Sequence, residues 1–136
     1  MNFSEIQNNT LVFNYQQQDY EEWIKKFGSY VGAKNSGARI EFAESFANGY
    51  ARAKILEPGL SYRIVNYTLN TDLEYRRMPA AEFQLMIHFL EASFKEKIEC
   101  KTGEKTKVIE NKDNFHSVAM LTNSFTSQSL MLKKGT

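Results

Sequence analysis

Two histidines and one cysteine, His88, His116 and Cys100, are the side chains in this sequence best suited to metal binding or nucleophilic chemistry, and they lie far apart along it. A metal centre needs several His, Cys or carboxylate ligands converging on one point. No His-x-His, His-Glu-x-x-His or Cys-x-x-Cys spacing gathers them, so a centre built from His88, His116 and a glutamate would depend wholly on the fold. The seven glycines are scattered and form neither G-x-x-x-x-G-K nor G-x-G-x-x-G, so no phosphate-cradling loop is encoded. A G-x-S-x-G nucleophile elbow is absent as well. What remains is acid–base work by His88 or His116 with a carboxylate such as Glu44, Glu57 or Glu74. A histidine set among Met86, Ile87, Phe89 and Leu90 is more often a hydrogen-bonded core residue than a pocket residue.

A second group mixes aromatic or soft apolar surface with a few polar tips: Arg63 and Tyr67 on one segment, Met86 and His88 on another. A small-molecule pocket has that chemistry, which makes these residues the candidate ligand-binding set. One half-solvated face of a twisted sheet has it too, and the residues alone leave both readings open.

The elements that must position these side chains begin with an amphipathic helix. Tyr20, Trp23, Ile24 and Phe27 recur at i, i+3, i+4 and i+7, predicting a helix over residues 15–27 with Asn14 as its cap and Gly28 as its stop. Asp19, Glu21 and Glu22 precede Lys25 and Lys26, an order that suits the helix dipole. From Gly37 the rhythm changes to short segments of strand propensity. Residues 39–46 and 50–56 read as strands around a bend at Ala47, Asn48 and Gly49. Pro58 followed by Gly59 fits the central positions of a type II turn, with Gly supplying the positive φ.

Residues 60–69 form the best strand. Leu60, Tyr62 and Ile64 lie on one face and Arg63, Val65, Tyr67 and Leu69 on the other; since both faces are partly apolar, the strand is expected to be central in its sheet. A turn at Asn70, Thr71 and Asp72 leads into a strand over residues 73–78 that carries Arg76 and Arg77. Between residues 79 and 95 periodicity fits helix and strand equally well. Residues 95–113 are charged and read as a solvated hairpin turning at Thr102, Gly103 and Glu104. Residues 115–121 and 129–132 read as two more strands, and the closing Lys133, Lys134, Gly135, Thr136 as the lead-in to another, which suggests a longer natural chain.

Composition bounds the answer. The chain has 136 residues, 42% apolar and 13% aromatic, enough for one core. A formal charge of +1 gives no overall bias towards nucleic acid or anionic lipid, so any such contact would be local. One cysteine cannot form an intramolecular disulfide, and the sequence opens on neither a signal-like segment nor a membrane-length apolar run. These features predict a cytoplasmic protein that makes no membrane contact.

The stretch GYARAKILEPGLSYRIVNYTL, followed by NTDLEYRRMPAAEFQLMIHFLEAS and then SVAMLTNSFTSQSLMLKKGT, resembles the N-terminal sensor domain of AraC-type transcriptional regulators over residues 37–136. The resemblance implies a mainly β fold, a cupin-like jelly-roll barrel or sandwich, with residues 1–36 as an arm and helix packed on it. It selects strand for residues 79–95. It also implies a small-molecule effector as partner, DNA contact only through a C-terminal helix-turn-helix region that this sequence lacks, and a possible homodimer. The cupin metal pattern of two close histidines and a glutamate is not matched, so no cofactor and no metal ligand are carried over. Two other classes compete with a sensor: a small metal-independent cupin-like isomerase or epimerase with His88 or His116 as base, and a protein-interaction domain whose barrel is filled by its own side chains.

Overall fold

A computed structural model describes residues 6–7, 10–93, 97–110 and 116–136. The fold is mainly β, with one helix among the described residues. In chain order the elements are β1 (Ile6–Gln7), β2 (Thr10–Gln16), α1 (Tyr20–Val31), β3 (Lys34–Ser36), β4 (Arg39–Glu41), β5 (Ala47–Glu57), β6 (Leu60–Leu69), β7 (Asp72–Met78), β8 (Leu85–Ala92), β9 (Ile98–Thr102), β10 (Lys105–Ile109), β11 (His116–Asn123) and β12 (Gln128–Leu132). They form a six-stranded sheet in the order β1-β2-β7-β12-β9-β10, a four-stranded sheet β3-β4-β5-β6 and a two-stranded sheet β11-β8, none of them closed. The β2–β7 pair is parallel and brings residues 10–16 against 72–78; the other pairs are antiparallel. No helix among the described residues is long and apolar enough to cross a membrane.

The helix starts later and ends later than its periodicity predicts. Tyr15 lies in β2, and the N-cap is Asp19, whose carboxylate accepts from the Glu22 amide at 3.0 Å. Gly28 does not stop the helix but lies inside it, and Val31 extends the buried stripe of Trp23, Ile24 and Phe27. A Cβ on Gly28 would come within 2.9 Å of Ile40 Cγ2, so the glycine lets α1 sit close to β4. The stop is Gly32, in the left-handed conformation at φ 71°. The buried helix face, with Phe13, Phe46, Leu69, Leu73 and Tyr75, forms one continuous core between the large sheet and the four-stranded sheet.

Several strand expectations shift by a few residues. The bend placed at 47–49 falls instead at 42–46, and β5 begins at Ala47. Gly59 takes φ 84°, as the β5–β6 turn requires. β9 and β10 form the expected hairpin around residues 103–104, but it is not merely solvated: β9 also pairs with β12, and Ile98, Cys100 and Ile109 are buried. Residues 95–96 and 111–113 lie outside the described residues. Phe115, placed at the start of a strand, lies outside the described residues, and β11 runs from His116.

Residues 85–92 are a strand, paired residue for residue with β11. Its burial alternates: Met86 is buried and His88 and Leu90 half-buried, while Leu85, Ile87 and Phe89 are exposed. Exposed apolar residues on the outer face are what made the sequence fit a helix equally well.

The strand expected to be central, β6, is instead the last strand of its sheet and pairs with β5 alone among the described residues. Its inner face carries Ser61, Arg63, Val65 and Tyr67; its outer face leaves Leu60 and Ile64 exposed. The register that sets this face depends on Gly49, opposite Tyr67. Gly49 has φ 139°, and a Cβ there would lie 2.1 Å from the Asn66 carbonyl oxygen. Gly49→Ala is therefore expected to destabilise the fold by about 1–3 kcal/mol, measured by urea unfolding.

Candidate functional site

The edges of β6 and β8 flank a cleft of about 950 Å3, a size suited to a small organic ligand. Each of the two strands has a single ladder partner among the described residues, β5 and β11 respectively. No backbone ladder therefore fills the space between them. Tyr20 of α1, Tyr75 of β7, Met120 of β11 and Leu130 of β12 also line it. All the sequence-derived candidates, Arg63, Tyr67, Met86 and His88, lie on its wall. Strand alternation puts Arg63 and Tyr67 on one inner face and Met86 and His88 on the other.

Arg63 is the pivot. Its guanidinium carbon stands 3.8 Å from the centroid of the Trp23 ring, 5.1 Å from Tyr20 and 5.9 Å from Tyr75. The ring faces stabilise the cation and fix its plane. The helix is tied to the same strand by the Tyr20 amide, which donates to Ser61 Oγ at 3.1 Å. Arg63 Nη1 is buried and, among the described residues, has no hydrogen-bond partner and no ion-pair partner. The Tyr15 hydroxyl lies near enough to interact with the guanidinium, yet Nη1 remains unfilled.

Beside it, the Tyr67 and Tyr75 hydroxyls share a hydrogen bond of 2.8 Å. Burial pushes Tyr67 up to about 12 and Tyr75 well above its ordinary value, so both stay protonated at neutral pH. One hydroxyl donates to the other, which leaves the second proton of the pair able to meet a ligand.

His88 Nε2 is likewise buried without a partner. Burial, reinforced by the positive charges of Arg63 and Arg77, lowers its pKa from 6.5 to about 4. The imidazole is therefore neutral at pH 7. The unfolded chain binds a proton at His88 below pH 6.5 while the folded protein resists it until about pH 4. Stability is therefore expected to fall as pH drops through that window, and His88→Gln should flatten the slope in denaturation curves recorded from pH 7 to 4. A slope unchanged by the substitution would assign the pH dependence to other groups.

The expected carboxylate partners of histidine are elsewhere. Glu44 and Glu57 are exposed, and neither lines the cleft. Glu74 points to the opposite face of β7, where it pairs with Arg76 at 2.7 Å and accepts from Ser129 at 3.1 Å. None of the three lines the cleft, so an acid–base pair with His88 is not formed. His116 lies opposite Ala92 and His88 opposite Met120, so four ladder steps, roughly 13 Å of strand, separate the two positions. Among the described residues no three His, Cys, Asp or Glu side chains gather as metal ligands. Cys100 is buried, its sulfur 3.8 Å from that of Met120 and from Gln128 Nε2.

Sequence reasoning missed Trp23, Tyr20 and Tyr75 as site residues. Trp23 and Tyr20 belong to the helix stripe read as packing surface, and nothing local signals that the stripe's edge carries a cation from β6. Tyr75 had a usable signal, since Leu73, Tyr75 and Arg77 alternate onto one face of β7. A scan against protein-family models and searches of curated proteins and of solved structures find no match to this chain.

Proposed function

We propose that this chain is the effector-binding domain of an AraC-type transcriptional regulator, a cupin-like β module that binds a small molecule between β6 and β8. The observation carrying the reading is the cleft itself. A space of about 950 Å3 has inward-facing polar atoms at Arg63 Nη1 and His88 Nε2 that the protein leaves unpaired. Buried polar groups without partners cost roughly 1–3 kcal/mol each, and a ligand that satisfies them recovers that cost on binding. The effector would act by favouring one of two arrangements of the attached DNA-binding region in a cytoplasmic protein.

The competing readings fit less well. A histidine with a pKa of about 4 is a weak base for catalysis near neutrality, which disfavours an isomerase built on His88. An interaction domain plugged by its own side chains is disfavoured by the volume of the cleft.

The test is a thermal-shift screen of small polar and aromatic metabolites. A true effector stabilises by mass action, about 2.7 kcal/mol at a hundredfold excess over its Kd, and Arg63→Ala should weaken that shift while the unliganded protein stays folded. A library that stabilises the unaltered protein and Arg63→Ala equally would sink the cleft reading. For the regulator half, a reading frame running beyond Thr136 into paired helix-turn-helix units supports the proposal, and a stop codon there removes it.

A further inference from the structure

Arg63 carries a charge that the protein does not balance. One face of its guanidinium is held by the Trp23 ring at 3.8 Å, but Nη1 has neither acceptor nor carboxylate among the described residues. Arg63 as a whole is half-buried, but its buried Nη1 is costly to leave without an acceptor, and aromatic contact recovers only part of that cost. The inner walls around it offer hydroxyls, two thioethers, an imidazole and aliphatic groups, and no acidic side chain among the described residues. Glu91, the carboxylate side chain along the cleft, sits on the outer, exposed face of β8. What complements this wall is an oxyanion.

The geometry also limits the charge. Arg63 is the one cation lining the cleft among the described residues, and Arg77 is already engaged by the β11–β12 link through four hydrogen bonds. His88 is neutral at pH 7. A dianionic phosphate would leave one negative charge uncompensated in a partly dry site, whereas a carboxylate matches one planar guanidinium and accepts a further bond from a tyrosine hydroxyl. Beyond the polar atoms the walls carry apolar surface from Val65 of β6 and from Met86 and Leu90 of β8.

Building on the effector-binding reading, we propose that the cleft takes a small organic monocarboxylate, its carboxylate on Arg63 and its alkyl or aryl body along Met86 and Leu90. The built-in reporter is Trp23, the chain's single tryptophan, stacked beneath that guanidinium.

The experiment titrates the protein with 3-phenylpropanoate and hexanoate, with the amide of each, and with phenyl phosphate. Trp23 emission and the amide resonances of β6 and β8 are followed together. The acids are expected to bind about tenfold or more tighter than their amides, and Arg63→Gln should erase that preference while Arg63→Lys keeps part of it. Acids and amides that shift β6 and β8 with equal affinity would overturn the anion assignment and leave the effector cleft standing. Phenyl phosphate binding about tenfold tighter than 3-phenylpropanoate would overturn the single-charge assignment. If neither series moves the β6 and β8 resonances, the monocarboxylate is wrong, and the cleft then stands or falls on the metabolite screen. Should Arg63→Gln fail to fold, the acid-against-amide comparison on the unaltered protein decides the question.

Discussion

Phe27→Ala is expected to lower the unfolding free energy by about 3–5 kcal/mol, a large share of the roughly 5–15 kcal/mol that holds a domain of this kind. The ring is fully buried at the centre of an aromatic cluster. Its centroid lies 4.8 Å from Trp23, 5.0 Å from Phe13, 5.4 Å from Tyr75 and 5.9 Å from both Phe42 and Phe46. Those partners come from α1, β2, β7 and the 42–46 bend, so no single element can move to fill the hole. Phe27→Leu, which keeps most of the volume, should cost about 1–1.5 kcal/mol. Because Trp23 supports Arg63, the alanine variant should also lose ligand affinity under conditions where it remains folded.

Arg77→Met is expected to cost about 2–4 kcal/mol. Arg77 is 1% exposed, yet it serves as a bracket. Nη1 donates to Thr122 Oγ1 and Gln128 Oε1, both at 3.2 Å, and Nη2 donates to the Asn123 and Thr126 carbonyls at 3.1 and 3.2 Å. These bonds fasten the end of β7 to the segment joining β11 and β12, and so hold the two-stranded β8–β11 sheet that forms one wall of the cleft. Methionine replaces the volume but leaves the acceptors empty. Relief of the buried charge offsets part of the loss, which keeps the expected cost below the sum of four charge-assisted bonds. Lys25→Met, which removes an exposed partner of Glu22, should change stability by less than about 0.5 kcal/mol in the same urea titrations. Equal effects from the two substitutions would contradict the bracket role.

Local chemistry was legible in the sequence wherever neighbouring residues decide the outcome. The bounds of β6 coincide with the expected 60–69, because Pro58 and Gly59 fix its start and alternation its length. The turn after Thr102 was legible for the same reason. The start of the helix was not. Tyr20 is the first residue of the helical stripe, so the periodicity does not mark where the helix begins before it, and what pulls Tyr15 into a strand is β7, 62 residues away where it meets Arg77. The edge position of β6 was hidden because an apolar inner face can pack against a helix and a cleft as readily as against a neighbouring strand.

The site was legible in part. Arg63, Tyr67, Met86 and His88 were singled out as mixed chemistry on strand faces, and the fold puts them on one cleft. Their relations were invisible: the stack of Arg63 on Trp23, the Tyr67–Tyr75 bond and the distance of Glu44, Glu57 and Glu74 from His88 all depend on which strand edges meet across the core.

The most direct test of a ligand cleft between β6 and β8 is a crystal structure of the protein with the strongest stabiliser from the metabolite screen. The account predicts density for that compound between the two strands, within hydrogen-bond reach of Arg63 Nη1. Density confined to the exposed outer face around Leu85, Ile87 and Phe89, with no compound between the strands, would contradict it.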